Sequence, residues 1–174
     1  MRAGHASRTA EHNALFRALE SGLPESRRLF TDPFARSFLS RPYSLLTWAA
    51  RVPGLRELIP RLIDHRWPGV RSSVVARTRL IDEVIADSLG AHIEQLVILG
   101  AGFDSRAYRL PGLRDVTVFE VDHPDTQAAK RRTLQRVLST LPTHVRFVGI
   151  DFKPIGAATV CEAFGARAPE RSTR

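Results

Sequence analysis

Apolar residues between Thr9 and Arg71 come in short groups at helical spacing, cut repeatedly by proline. Helices are expected around Ala14 to Ser21, Pro33 to Leu39 and Leu45 to Arg51, with interruptions at Pro24, Pro42, Pro53, Pro60 and Pro68, because proline lacks an N–H and clashes with the preceding turn. Asp32-Pro33 reads as a helix start, a capping carboxylate before a proline at the first helical position. A longer helix follows, capped by Ser72 and Ser73, with Val74, Val75, Leu80, Ile81, Val84, Ile85 and Leu89 as its apolar positions and Gly90 as its end. Beyond Gly90 the pattern changes. Leu96 to Leu99 is a continuous apolar run before a glycine loop, as for a parallel strand covered on both faces, and Val116 to Val121 is a second run rich in β-branched residues. His123 to Thr140 reads as a helix with Leu134, Leu138 and Leu141 on its apolar side, Val145 to Ile150 as a third strand, and Ala157 to Phe164 as a weak helical stretch.

This order predicts an α/β fold: a partial, Rossmann-like sheet of about three parallel strands behind an N-terminal helical extension, divided into residues 1–90 and 91–174. Composition adds limits. The 174 residues are 43% hydrophobic and 25% charged, and no apolar run approaches the ~20 residues of a membrane span, so no membrane partner is expected. The polar start has no apolar core of a secretory signal, Cys161 is the single cysteine, and the six histidines show no zinc-like spacing, so a cytoplasmic location without a metal is the expectation. Residues 1–80 carry 14 basic and 6 acidic residues, the whole formal excess of +8, almost all as arginines spaced singly among apolar residues. Such spacing fits solvated or snorkelling helix faces better than a nucleic-acid stripe, and no nucleic-acid partner is expected.

Three features converge on one nucleotide pocket. Gly100-Ala101-Gly102-Phe103-Asp104-Ser105 follows the first strand, where glycines at 100 and 102 allow a sharp turn and close backbone approach to a ligand. Glu120 and Asp122 end the second strand about 20 residues on, the place where a carboxylate can take both ribose hydroxyls. Asp151-Phe152 ends the third strand, and strand ends of an open α/β sheet face one crevice. Singly each is also an ordinary turn or cap; Asp122 stands just before His123-Pro124 and Asp151 can be a turn former. Their order in one βαβαβ frame is what makes the pocket. Ser105 replaces the third glycine of a dinucleotide fingerprint, and Asp104 is a negative charge ill placed for a diphosphate. The loop therefore favours S-adenosyl-L-methionine, which has no phosphate and a cationic sulfonium, over a nicotinamide dinucleotide and an oxidoreductase role.

The segments "VVARTRLIDEVI", "LVILGAGFDSRAYRL", "VTVFEVDHPDTQAAKRRTL" and "RFVGIDF" resemble the leucine carboxyl methyltransferase group of class I S-adenosylmethionine-dependent methyltransferases, in the branch abundant in actinobacteria. The openings "TAEHNALFRALES" and "RRLFTDPFARSFL" resemble that branch's N-terminal helices, so the likeness runs from about Thr9 to Phe152. The resemblance implies that Arg77 pairs with the methionyl carboxylate of the cofactor, that Gly100 approaches it, that Asp122 rather than Glu120 holds the ribose, and that Asp151 and Phe152 contact adenine. Arg17 corresponds more loosely to a second basic residue near that carboxylate. Ser105 and Asp104 are expected to cap the next helix. No catalytic base is assigned; Tyr108 and His123 read as structural. The implied activity is transfer of a methyl group to an oxygen, a carboxylate for example, of a small-molecule acceptor.

After Phe152 the chain reads "KPIGAATVCEAFGARAPERSTR" and departs from the family pattern. It reads as the end of a truncated or frameshifted product or of a fragment, in which Leu96 to Leu99 would form an exposed sheet edge open to self-association. The alternative function is an inactive remnant that at most binds the cofactor or a partner.

Overall fold

The structure, a computed structural model, describes residues 7–151; Phe152 and the helical stretch expected at 157–164 lie outside the described residues. Helix α1 (Arg8–Ser21) starts well before Ala14, because the Ser7 hydroxyl caps it by accepting from the Ala10 N–H at 3.4 Å. The helix expected at Pro33 to Leu39 is only a 3-10 turn, Ala35–Phe38. Asp32 starts it as expected, its Oδ1 accepting from the Phe34 and Ala35 N–H groups at 3.0 Å each, but Leu39 is already extended and the next helix begins at once. Pro42 lies in the first turn of that helix, α2 (Arg41–Ala49), where its missing N–H is harmless. Pro60, also expected as a break, lies inside α3 (Leu55–Arg66), and the burial of Ile59 and Ile63 on either side of it carries the helix through.

Helix α4 (Val70–Gly90) ends where the sequence predicts, but its cap is Gly69 at φ +78°, and Ser72 donates to the Gly69 carbonyl at 3.1 Å instead of capping. It buries Val74, Val75, Thr78 and Ile85, whereas Leu80, Ile81 and Val84, expected in the apolar face, are exposed. Strands β1 (Gln95–Leu99), β2 (Thr117–Asp122) and β3 (Val145–Gly149) form one parallel sheet in the order β1-β2-β3, with Leu96 beside Val118 and Val118 beside Val145. A four-residue helix α5 (Arg106–Arg109) lies between β1 and β2, and α6 (Pro124–Leu138) between β2 and β3.

One apolar core joins Ile85 of α4 to Leu113, Val116, Val118 and Val145; another joins Ala10 and Ala14 of α1 to Phe38, Phe103 and Leu134 of α6. Contrary to the expectation of a strand covered on both faces, β1 packs only Leu96 and Ile98 into the core and exposes Val97 and Leu99. The reason is position: β1 is the edge of the sheet among the described residues, and α6 packs against β3 at the other side.

Buried charges fix the loop after β1 to the helices. The Asp32 carboxylate, 3% exposed, accepts from Arg17 Nε at 2.8 Å and from the Ser105 hydroxyl at 2.6 Å through Oδ2, while Oδ1 holds the 3-10 turn. Arg17 also donates to the Phe103 carbonyl. Asp82 of α4 pairs with Arg106 and Arg109, each at 2.7 Å, and Arg106 pairs with Asp104 as well. Beneath β2, Glu120 is fully buried against Lys130 Nζ at 2.7 Å and accepts from the Tyr108 hydroxyl at 3.1 Å. Burial pushes the Glu120 carboxyl above its usual range against the opposing pull of Lys130.

Because Asp32 is the counter-charge of a buried guanidinium, Asp32→Ala is expected to lower the free energy of unfolding by about 3–5 kcal/mol, read from urea midpoints; a loss below about 1 kcal/mol would show that the loop is held by packing alone. For Asp104, burial favours the neutral acid, but Arg106, then Lys130 and Arg17, outweigh it and hold the carboxyl below its ordinary value. Its contribution is present above the unfolded pKa of about 4 and is lost as pH falls through the depressed folded value. The stability gap between the wild type and Asp104→Asn should therefore be widest near neutral pH and shrink in acid; a gap constant down to pH about 2 would refute the ion-pair role.

Candidate functional site

A cleft of ≈ 1030 Å³ opens at the carboxyl ends of β1 and β2, walled by α1, by α4 and by the start of α6. The glycine loop forms its floor. Gly100 and Gly102 have φ +62° and +46°, a backbone conformation that side chains disfavour, and the turn between them is tied to β2 by the Ala101 N–H, which donates to the Val121 carbonyl at 3.0 Å. A Cβ at Gly102 would lie 3.1 Å from the Ala10 Cβ, so α1 sits directly on the loop; a Cβ at Gly100 would meet nothing and extend into open space. Both glycines line the cleft.

Asp122 lines it too, and both of its oxygens are engaged: Oδ2 accepts from the Gly102 N–H and Oδ1 from the His123 N–H at 2.6 Å. Each carboxylate oxygen keeps further acceptor capacity toward the cleft. Glu120, two residues earlier on β2, is fully buried and committed to Lys130 at 2.7 Å, whereas Asp122 stands at the strand end in the cleft. Arg77 is exposed on α4, lines the cleft, and has no ion pair or hydrogen bond among the described residues. Asp151 is exposed at the cleft's rim, one residue past Ile150, whose N–H donates to the Asp122 carbonyl at 2.9 Å. The structure thus brings Arg77, Gly100, Gly102, Asp122 and Asp151 to one cleft, and Phe152 lies outside the described residues.

Ser105 does not cap α5, contrary to the expectation, because its hydroxyl is committed to Asp32. Asp104 does the capping, accepting from the Arg106 N–H at 2.8 Å. With that N–H occupied, and with only four residues in α5, the loop offers neither the free amides nor the summed dipole that a pyrophosphate needs. Tyr108 is held on Glu120, and burial pushes its hydroxyl far above the usual tyrosine range, so it is no base. His123 caps α6, its Nδ1 accepting from the Asp125 N–H at 3.2 Å.

Of the α1 wall of the cleft, sequence reading named only Arg17. Ala10, Asn13 and Arg17 all line it, and their i, i+3, i+7 spacing on one helix face is the signal that identifies them as a stripe. Arg17 borders the cleft, yet its guanidinium is spoken for by Asp32 and the Phe103 carbonyl. Thr126, in the first turns of α6, also lines the cleft, with a buried hydroxyl that has no partner among the described residues.

Among the described residues no group of His, Cys, Asp or Glu could hold a metal, and no helix is long and apolar enough to cross a membrane. The family model described as leucine carboxyl methyltransferase matches residues 10–169. Among curated relatives, a protein of Rhodococcus jostii described as a "putative S-adenosyl-L-methionine-dependent methyltransferase" is 38% identical over 148 residues, 83% of this chain and 46% of that protein. A Mycobacterium avium protein with the same description is 32% identical over 87% of this chain and 50% of its own length, and one from Bacillus subtilis is 33% identical over 71% and 36%. The chain spans about half the length, or less, of these relatives. With a family match over nearly its whole length, and with the glycine turn and strand-end acids gathered at one cleft, the chain belongs to the leucine carboxyl methyltransferase family.

Proposed function

We propose that the cleft binds S-adenosyl-L-methionine and that the protein transfers its methyl group to an oxygen of a small molecule, a carboxylate in the first instance. The observation that carries this reading is the convergence of an exposed, unpartnered arginine, a glycine turn and a strand-end carboxylate on one ≈ 1030 Å³ cleft. The residues present fit the cofactor's chemistry. Arg77 offers a planar fork for an amino-acid carboxylate. Asp122, oriented by two backbone donors, offers acceptor positions to a pair of ribose hydroxyls. Asp151, which lines the cleft, is proposed to accept from the exocyclic amine of adenine together with a contact from Phe152.

When bound, the cofactor supplies an activated methyl group on a sulfonium. The protein's task is then alignment rather than acid-base chemistry, because an acceptor carboxylate is already anionic near neutral pH and needs no proton removed. The new bond forms between a carboxylate oxygen and the methyl carbon while the sulfur–carbon bond breaks to leave a neutral thioether. No base among Tyr108 or His123 is required, in keeping with their structural contacts. A second reading is cofactor binding without turnover, which an assay of product formation distinguishes from the first.

Calorimetric titration of S-adenosyl-L-methionine into the 174-residue chain is expected to give saturable binding, weakened about 10- to 100-fold in Arg77→Ala, which removes a charge-assisted fork from an exposed helix face. Asp122→Ala should weaken it further, since it also frees the glycine loop. Absence of binding by a demonstrably folded wild type sinks the reading, and binding without methyl-ester formation on a panel of carboxylic acids favours the second one.

A further inference from the structure

Helices α2 and α3 turn one side to the same core, with Leu46 and Ala49 of α2 and Ala50 just after it packed partly buried against it and Ile59 and Ile63 of α3 buried in it. Their other sides carry large apolar side chains in the open. On α2, Leu45 and Trp48 are 67% and 59% exposed on one face; Val52 follows in the connecting turn, and Leu55, Leu58 and Leu62 (59%) run down α3 at i, i+3 and i+7. None of these residues lines the cofactor cleft. The basic residues are placed with them. Arg41 shares the face of Leu45, Arg61 and His65 flank the Leu58–Leu62 stripe, and Arg51 lies in the turn, all exposed. Acids are kept away. Between residues 33 and 71 there are seven arginines against two acids, and both acids, on the opposite face of α3, are paired: Glu57 with Arg27 at 3.3 Å and Asp64 with Arg71 at 2.6 Å.

We infer that the outer face of the α2–α3 pair is an interfacial docking surface for an anionic lipid bilayer. Its pattern is that of a helix lying in the membrane plane, with leucine and tryptophan directed into the headgroup–acyl boundary and arginines extended sideways to lipid phosphates. The positive excess selects an anionic surface, and the exposed indole of Trp48 suits the wet boundary of the bilayer better than a dry protein interface. The sequence expectation of no membrane partner rests on the lack of a spanning run; a helix pair that lies on the surface needs none.

Sedimentation of the full chain with vesicles of phosphatidylcholine and phosphatidylglycerol in equal parts tests this, with Trp67→Phe as the background so that fluorescence reports Trp48 alone. The expected result is co-sedimentation with a blue shift of Trp48 emission, both lost on pure phosphatidylcholine vesicles. The double variant Leu45→Gln, Trp48→Gln, at exposed positions that leave the melting curve intact, should lower partitioning on the order of 100-fold, and Arg61→Gln about fivefold. Equal binding by the double variant, or a chain that stays in the supernatant with both vesicle types, overturns the inference; the latter is what a face built for another polypeptide would give.

Discussion

A single buried carboxylate, Asp32, sets the position of everything around the cleft. It lies between α1, the 3-10 turn and the loop after β1, and it receives the Arg17 guanidinium, the Ser105 hydroxyl and two backbone N–H groups. Buried charge of this kind tolerates little displacement, because a separated partner would be left in low dielectric without water. The N-terminal helices are therefore fastened to the glycine loop. Arg17 makes the same connection from the other side through the Phe103 carbonyl, and Ala10 packs on Gly102 so closely that a Cβ there would lie 3.1 Å from its own.

The sheet supplies the second requirement. Parallel strands bring the loop after β1 and the acid at the end of β2 to one edge, and the Asp122 carboxylate links them through the Gly102 N–H. A second set of ion pairs, Asp82 with Arg106 and Arg109, attaches α5 to α4 and so places the exposed Arg77 face along the same opening. Polar interactions locate the elements, while the apolar clusters around Val118 and Leu134 supply the burial that makes the arrangement stable.

Strands and the long helices were legible because their apolar periods are unambiguous: β2, β3, α4 and α6 lie within a few residues of their expected bounds. Turn-level detail was not. Pro42 and Pro60 read as breaks, but one falls in a first turn and the other is carried by flanking buried isoleucines, a tertiary effect that no local rule contains. Leu80, Ile81 and Val84 read as core because periodicity cannot say which of two apolar sides of a helix meets the sheet. The residues grouped at the cleft were legible from strand-end topology and from family likeness together. Asn13 and the Asp32 hub were not, since each acts on the cleft from an element 70 or more residues away in sequence from the strand ends it meets, as Asp32 does with Ser105 at a separation of 73.

The Asp122 carboxylate is held at both oxygens by amide donors, one from the loop before β2 and one from the residue after it. A side chain fixed in this way has few rotamers left to lose when a ligand arrives, so the entropy of ordering that normally opposes association has largely been met during folding. The same tether means that the acid and the glycine turn cannot drift independently. Selectivity at this end of the cleft is then a property of a small rigid unit spanning two strands rather than of any one residue, and a change of ligand would require the unit to be rebuilt as a whole.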